Sequence, residues 1–239
     1  MAWPLKLIDG FFKRREIALS HDQRGALDLW LRLPAADVQG LHERMRYVVV
    51  DVETSGLNMK RDRLISIGAI AVINSQIDFN DAFQIVLRQE QASTRENILI
   101  HGIGGGAQTG GVEPVEALLS FLNYIGNSPL IAYHAVFDQH MIDKAMKAYL
   151  GTSLGRTWID LAWVLPEFFP YITGAKVPLD EWLHYFGIEN IVRHNAVSDA
   201  YATAKLLQVA IAAGRQKGVE NAAGFMRIEK TRRWMCEGS

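Results

Sequence analysis

Asp51 and Glu53, then Asp138, then His194 and Asp199 follow one another inside Asp51-Val52-Glu53-Thr54, Tyr133-His134-Ala135-Val136-Phe137-Asp138 and His194-Asn195-Ala196-Val197-Ser198-Asp199. Carboxylates are among the side chains least often buried, and gathering four of them is unfavourable unless a cation neutralises the group. The set therefore predicts a site for divalent cations, with the histidine free to move a proton. Residues two apart on a strand share a face, so Asp51 and Glu53 can offer oxygens to one ion. Taken alone the Asp-x-Glu-Thr motif is weak, because acidic strand ends often just meet solvent. Gly56 and Leu57 beyond it predict a turn that a ligand can approach. Asp138 falls where a strand hands over to a helix, a place where capping would also use a carboxylate.

Together these residues predict two-metal hydrolysis. Two Mg²⁺ or Mn²⁺ ions about 3.5–4 Å apart, clamped by carboxylates and a substrate phosphate, would activate a water and stabilise a leaving oxygen. An imidazole ordinarily titrates near pH 6.5, so His194, five residues before Asp199 and expected on a loop, suits a base that swings into place.

The elements that must position this set are legible from periodicity. Tyr47–Val52 is a β-branched run that predicts a buried strand. Leu64–Ile73 predicts a second, with Ile65, Ile67, Ala69, Ala71 and Ile73 on one face, and Asn74-Ser75 a turn. Phe83, Ile85 and Leu87 alternate with polar neighbours in a third, which suggests an antiparallel start to the sheet. His101-Gly-Ile-Gly-Gly-Gly-Ala-Gln-Thr-Gly-Gly lacks the Walker lysine and reads as a mobile loop beside a site. Pro114 opens a helix through Leu122, Pro129–Tyr133 is a fourth strand, and Met141, Ile142, Ala145, Met146 and Tyr149 keep helical spacing. Trp158–Leu161 fits a strand or a short helix; helices follow from Pro178 to Gly187 and from Ala196 to about Ala213. Strands first, then strands alternating with helices, predict an α/β layer fold with a mixed sheet.

Residues 1–45 read as an N-terminal helical extension carrying Leu27, Leu29, Trp30, Leu31 and Leu33, broken at Pro34, with Trp3, Phe11 and Phe12 expected to pack on the main domain. Arg227, Lys230, Arg232 and Arg233 read as a solvated basic tail. The 239 residues carry a formal net charge of −1, which argues against broad coating of nucleic acid but not against a grip on a few nucleotides. The single cysteine, Cys236, excludes an intrachain disulfide. No stretch approaches the length of a membrane span and no signal peptide is recognisable, so a cytoplasmic protein with no membrane partner is expected.

The ordered set Asp51/Glu53, Asp138, His194 and Asp199 resembles the DEDDh family of 3′–5′ exonucleases, most of all its group of proofreading epsilon subunits of bacterial DNA polymerase III and stand-alone relatives. The likeness covers roughly residues 46–210 and includes His101-Gly102-Ile103, Trp158-Ile159-Asp160, Leu179-Asp180-Glu181-Trp182-Leu183 and His194-Asn195-Ala196. It implies an RNase H-like fold with a five-stranded mixed sheet flanked by helices. The domain organisation is then an extension at 1–45, an exonuclease domain at 46–213 and a C-terminal basic tail at 214–239. It also implies that Asp51, Glu53 and Asp199 bind the tighter metal, that Asp51 touches the second, and that Asp138 helps through bound water. Thr54 would meet the terminal 3′-hydroxyl and Leu57 would wedge the last base, with His101 and Phe137 as further substrate contacts. Two departures stand out: His134 replaces the family's usual asparagine, and Gly104 replaces the usual threonine after His-Gly-Ile.

The expected function is removal of nucleoside 5′-monophosphates from single-stranded or frayed DNA 3′ ends, in proofreading or repair. RNA 3′-end trimming is the alternative within the family, and a non-catalytic nucleic-acid-binding module the alternative outside it. Residues 1–45 offer a place where a polymerase or another protein could dock.

Overall fold

The β-branched run after Met45 forms the central strand of a five-stranded sheet. The computed structural model describes residues 18–172, 177–190 and 193–237, so Trp3, Phe11 and Phe12 lie outside the described residues. β1 (Arg46–Thr54) pairs antiparallel with β2 (Leu64–Ile73), which pairs antiparallel with β3 (Gln76–Val86). On its other edge β1 pairs parallel with β4 (Leu130–Ala132), and β4 with β5 (Trp158–Asp160), giving the order β3-β2-β1-β4-β5. The β2–β3 turn has Asn74 and Ser75 at φ 53° and 65°, the left-handed pair that a two-residue hairpin needs.

The alternation of β1 divides the core. Tyr47 and Val49 face one layer, with Ala200, Ala204 and Leu207 of α8 (Ala196–Gln216) and Leu161 and Leu165 of α6 (Leu161–Phe168). Val48, Val50 and Val52 face the other, with Leu118, Phe121 and Leu122 of α4 (Pro114–Ile125) and Met141 and Ile142 of α5 (Val136–Tyr149). β2 is covered on both faces, Ile67 and Ala69 joining the α4–α5 side and Ile70 and Val72 the α8 side, so its apolar run is continuous rather than alternating. α7 (Leu179–Tyr185) follows Pro178 and buries Trp182, and Gly187 at φ 61° lets the chain leave it.

Three segments differ from the sequence expectation. In the N-terminal extension only α1 (His21–Leu31) and a 3₁₀ turn (His42–Arg44) are helical among the described residues. α1 packs on α4, where the Trp30 indole N–H donates to the Gly126 carbonyl at 2.9 Å and Arg156 stacks 4.0 Å above the ring. The glycine-rich segment is not an open loop. It follows α2 (Arg95–His101) and contains α3 (Gly105–Thr109), pinned by buried Gln108, which donates to the Ile103 carbonyl at 2.8 Å and accepts from the Ser93 N–H at 2.8 Å. The basic tail is a helix, α9 (Ala222–Glu237), because Ala222, Ala223 and Phe225 are buried and Arg232 and Arg233 pair with Glu167 and Asp160. No helix among the described residues is long and apolar enough to cross a membrane.

Candidate metal centre

Asp51 and Glu53 leave β1 on one face, as their spacing requires, and α8 brings Asp199 to meet them. Oxygens of the three carboxylates all lie within 4.8 Å of one another. α8 can come so close because Asp51 is paired across the sheet with Gly68. A Cβ at Gly68 would sit 2.3 Å from the Ala196 carbonyl carbon and 2.4 Å from the Val197 nitrogen, so only glycine lets the first turn of α8 rest on the sheet. Asn195 caps that turn by accepting from the Ser198 N–H at 3.2 Å.

Asp138 arrives from the opposite layer in the first turn of α5. It is buried, and its Oδ1 accepts from the Val52 N–H, between Asp51 and Glu53, at 3.1 Å. It stands beside the three clustered carboxylates rather than among them.

Burial and the negative neighbours Asp138, Asp199 and Glu53 push the Asp51 carboxyl well above the usual carboxylate range. Burial, then Asp199 and Asp138, push Glu53 up to about 8. Burial raises Asp138 to about 8 against the hydrogen bonds it accepts. Among the described residues no lysine or arginine forms an ion pair with any of the four. A hard-oxygen donor set that strains against its own charge fits a divalent cation.

His194 lies exposed at the rim with φ 58°, and its backbone N–H, not its ring, donates to Asp199 Oδ2 at 3.0 Å. The Asn190 side-chain amide N–H donates to the other Asp199 oxygen, while its Oδ1 accepts from the Ser198 hydroxyl at 2.8 Å. Thr54 is buried and its hydroxyl donates to the Gly56 carbonyl at 2.7 Å, which shapes the turn leading to Leu57. Leu57 is 86% exposed, an apolar side chain that none of the described residues covers. Asp62 organises the turn by accepting from the Ser55 hydroxyl and the Asn58 N–H, and Lys144 of α5 staples it through the carbonyls of Met59, Lys60 and Asp62.

Phe137 is half-buried beside Asp138 at the start of α5. His101 is a different case. It is buried, bonded to Asn97 at 2.9 Å and to the Ile103 N–H at 2.9 Å, and none of its hydrogen bonds reaches the acidic cluster. Gly68 and Asn190 were missed from sequence; the glycine had one available signal, a residue without a side chain inside an apolar strand.

Known proteins resemble this chain over much of its length. The family model described as Exonuclease (RNase_T) matches residues 48–207. The DNA polymerase III PolC-type of Clostridium perfringens is 30% identical over 162 residues, 68% of this chain but only 11% of that protein. The DNA polymerase III subunit epsilon of Buchnera aphidicola subsp. Schizaphis graminum is 28% identical over 207 residues, 80% of this chain and 87% of that protein. The chain thus spans about a tenth of the PolC-type polymerases it matches and most of the epsilon subunit. E. coli Exonuclease I in complex with a dT13 oligonucleotide shares the fold with a TM-score of 0.62 at 16% identity, over 72% of this chain and 42% of that one. Exonuclease X in complex with 5′ overhanging duplex DNA does so with 0.59 at 19% identity, over 77% and 99%.

Proposed function

This chain belongs to the exonuclease family, and from that premise we propose that it removes nucleoside 5′-monophosphates one at a time from DNA 3′ ends, using two divalent ions, Mg²⁺ or Mn²⁺. The observation that carries the reading is the meeting of Asp51, Glu53 and Asp199 oxygens within 4.8 Å, with no cationic side chain to pair them among the described residues. Asp51, Glu53 and Asp199 would hold the first ion, with Asp51 shared and Asp138 supporting the second. The ions, when bound, supply a more acidic water and charge stabilisation at phosphate.

The chain's own residues do the rest. His194 takes the proton of the attacking water, whose oxygen bonds to phosphorus as the bond from phosphorus to the 3′-oxygen breaks. The shortened strand departs with a 3′-hydroxyl and the released nucleotide carries the 5′-phosphate. Thr54 and its backbone meet the terminal hydroxyl, Leu57 lies against the last base, and Phe137 completes the contact with the strand end, while buried His101 holds the backbone at Ile103 rather than touching the strand. DNA is favoured over RNA because the named relatives are DNA polymerase subunits and the fold neighbours hold DNA. Exposed Leu29, Leu31 and Leu33 on and after α1 support a polymerase or other protein partner docking through residues 1–45.

The test uses matched 5′-labelled single-stranded DNA and RNA with Mn²⁺ or Mg²⁺, beside EDTA and Asp51→Ala controls. A ladder shortening from the 3′ end of DNA, absent in both controls, is the expected result. A ladder on RNA alone would transfer the proposal to RNA trimming. No cleavage by folded, metal-loaded protein would make the chain a binding module.

A further inference from the structure

Asp160 is a carboxylate 1% exposed that the proposed chemistry does not use, and its surroundings lead back to the metal centre. It ends β5 and accepts three hydrogen bonds. Oδ1 takes the N–H groups of His134 at 2.9 Å and Ala162 at 3.1 Å, and Oδ2 takes Arg233 Nη2 at 2.9 Å. Its own N–H donates to Glu229 Oε2 at 3.0 Å, and Glu229 Oε1 accepts from Arg233 Nε at 2.9 Å, closing a ring between β5 and α9. A carboxylate is tolerated in the interior only with such partners, so α9 supplies the cationic partner that Asp160 has there.

His134 is the residue through which this matters. It sits between β4 and α5 at φ 61°, a conformation that a residue with a side chain adopts at a cost and keeps only when its surroundings hold it. Among the described residues the exposed imidazole makes only an edge contact with the Tyr133 ring at 4.7 Å, so the N–H bonded to Asp160 is what ties this turn to the sheet. Two residues later α5 begins, and in its first turn Asp138 reaches across to the Val52 N–H.

We infer that Arg233 and Asp160 are positioning residues for the metal centre. α9 fixes Asp160, Asp160 pins the left-handed turn at His134, and that turn sets the helix start from which Asp138 reaches β1. The inference rests on the reading of Asp138 as part of a divalent-cation site. It also extends that site beyond the family match, which ends at residue 207, to a helix that begins at Ala222.

The test is calorimetric titration of the full chain with Mn²⁺, beside melting of each variant in EDTA. Wild type should bind, and Asp51→Asn should not. Arg233→Met should weaken Mn²⁺ binding by roughly 10-fold, the scale at which residues supporting metal ligands act. Arg233→Lys should lose less. Adding His134→Gly, which removes the penalty of the left-handed turn, should recover part of the loss. The direction of the change separates causes. Charge alone predicts tighter binding when a cation is removed beside an acidic site, and a merely structural α9 lowers the melting temperature without changing affinity. Unchanged or tighter binding in Arg233→Met overturns the inference while leaving the site standing. Wild type that binds no Mn²⁺ overturns both. Should Arg233→Met fail to fold, Glu229→Gln, which keeps an acceptor for the Asp160 N–H but loosens the hold on Arg233, is judged by the same criterion.

Discussion

Among the described residues two groups of acids stand out, and they are opposites. Around Asp160 each carboxylate oxygen has a donor, and the charge is answered by Arg233 from α9. Around Asp51 the neighbours are Glu53, Asp138 and Asp199, and every one of them raises the cost of ionising it. The first group is finished by the chain itself. The charge of the second has no cationic side chain paired with it among the described residues, and that difference marks the candidate site more firmly than acidity does.

The sharpest break comes from Asp51→Asn. Turnover and metal binding should vanish, yet the metal-free protein should melt at or above the wild-type temperature in chelator, because a repelling charge is gone. Melting far below wild type would mean the cluster is structural, like its counterpart. Next is His194→Asn, chosen because asparagine also tolerates a positive φ and the backbone bond to Asp199 survives. It should slow the chemical step about 10²–10⁴-fold without moving metal affinity; a loss under tenfold in single turnover would remove the base from His194.

Asp160→Ala strikes the paired group and should show the reverse pattern. It orphans the His134 and Ala162 N–H groups, at about 1–3 kcal/mol for the buried Ala162 donor and less for the part-buried one at His134. Denaturant titration should register a loss of that order whether or not metal is present. The smallest effect is a pH trend. Glu53 and Asp138 sit near 8 in the folded chain, far above ordinary carboxylates, so the folded state binds their protons more tightly than the unfolded one. Their stabilising contribution is complete in acid, below the ordinary carboxylate range, and disappears as pH rises through about 8. In EDTA the melting temperature should therefore fall between pH 5 and 8, and saturating Mn²⁺ should abolish the fall. A flat profile in EDTA would show that neither burial nor neighbouring charge holds Glu53 and Asp138 above the ordinary carboxylate range.

Much of this was legible from residue type and period. The β-branched run placed β1, the spacing of two placed Asp51 and Glu53 on one face, and the order of the acidic motifs carried the family. What stayed hidden depends on contacts between distant segments. Composition made residues 227–233 look like a solvated tail, because the buried residues that dock α9 are two alanines and one phenylalanine. Glycines made residues 101–111 look loose, because the residue that pins them is a single buried glutamine. Nothing in the spacing of Asn190 from Asp199 announced that they would be bonded.

Gly68 carries a consequence for anyone reading variation in this protein. It lies in an apolar strand and offers no functional group, so alanine there would pass as a conservative change in the interior. The methyl would nonetheless fall within 2.7 Å of the Ala196 backbone and Cβ, and α8 could accommodate it only by lifting Asp199 away from β1. A survey for inactivating substitutions that scored polar residues alone would overlook one of the places where this site is most easily lost.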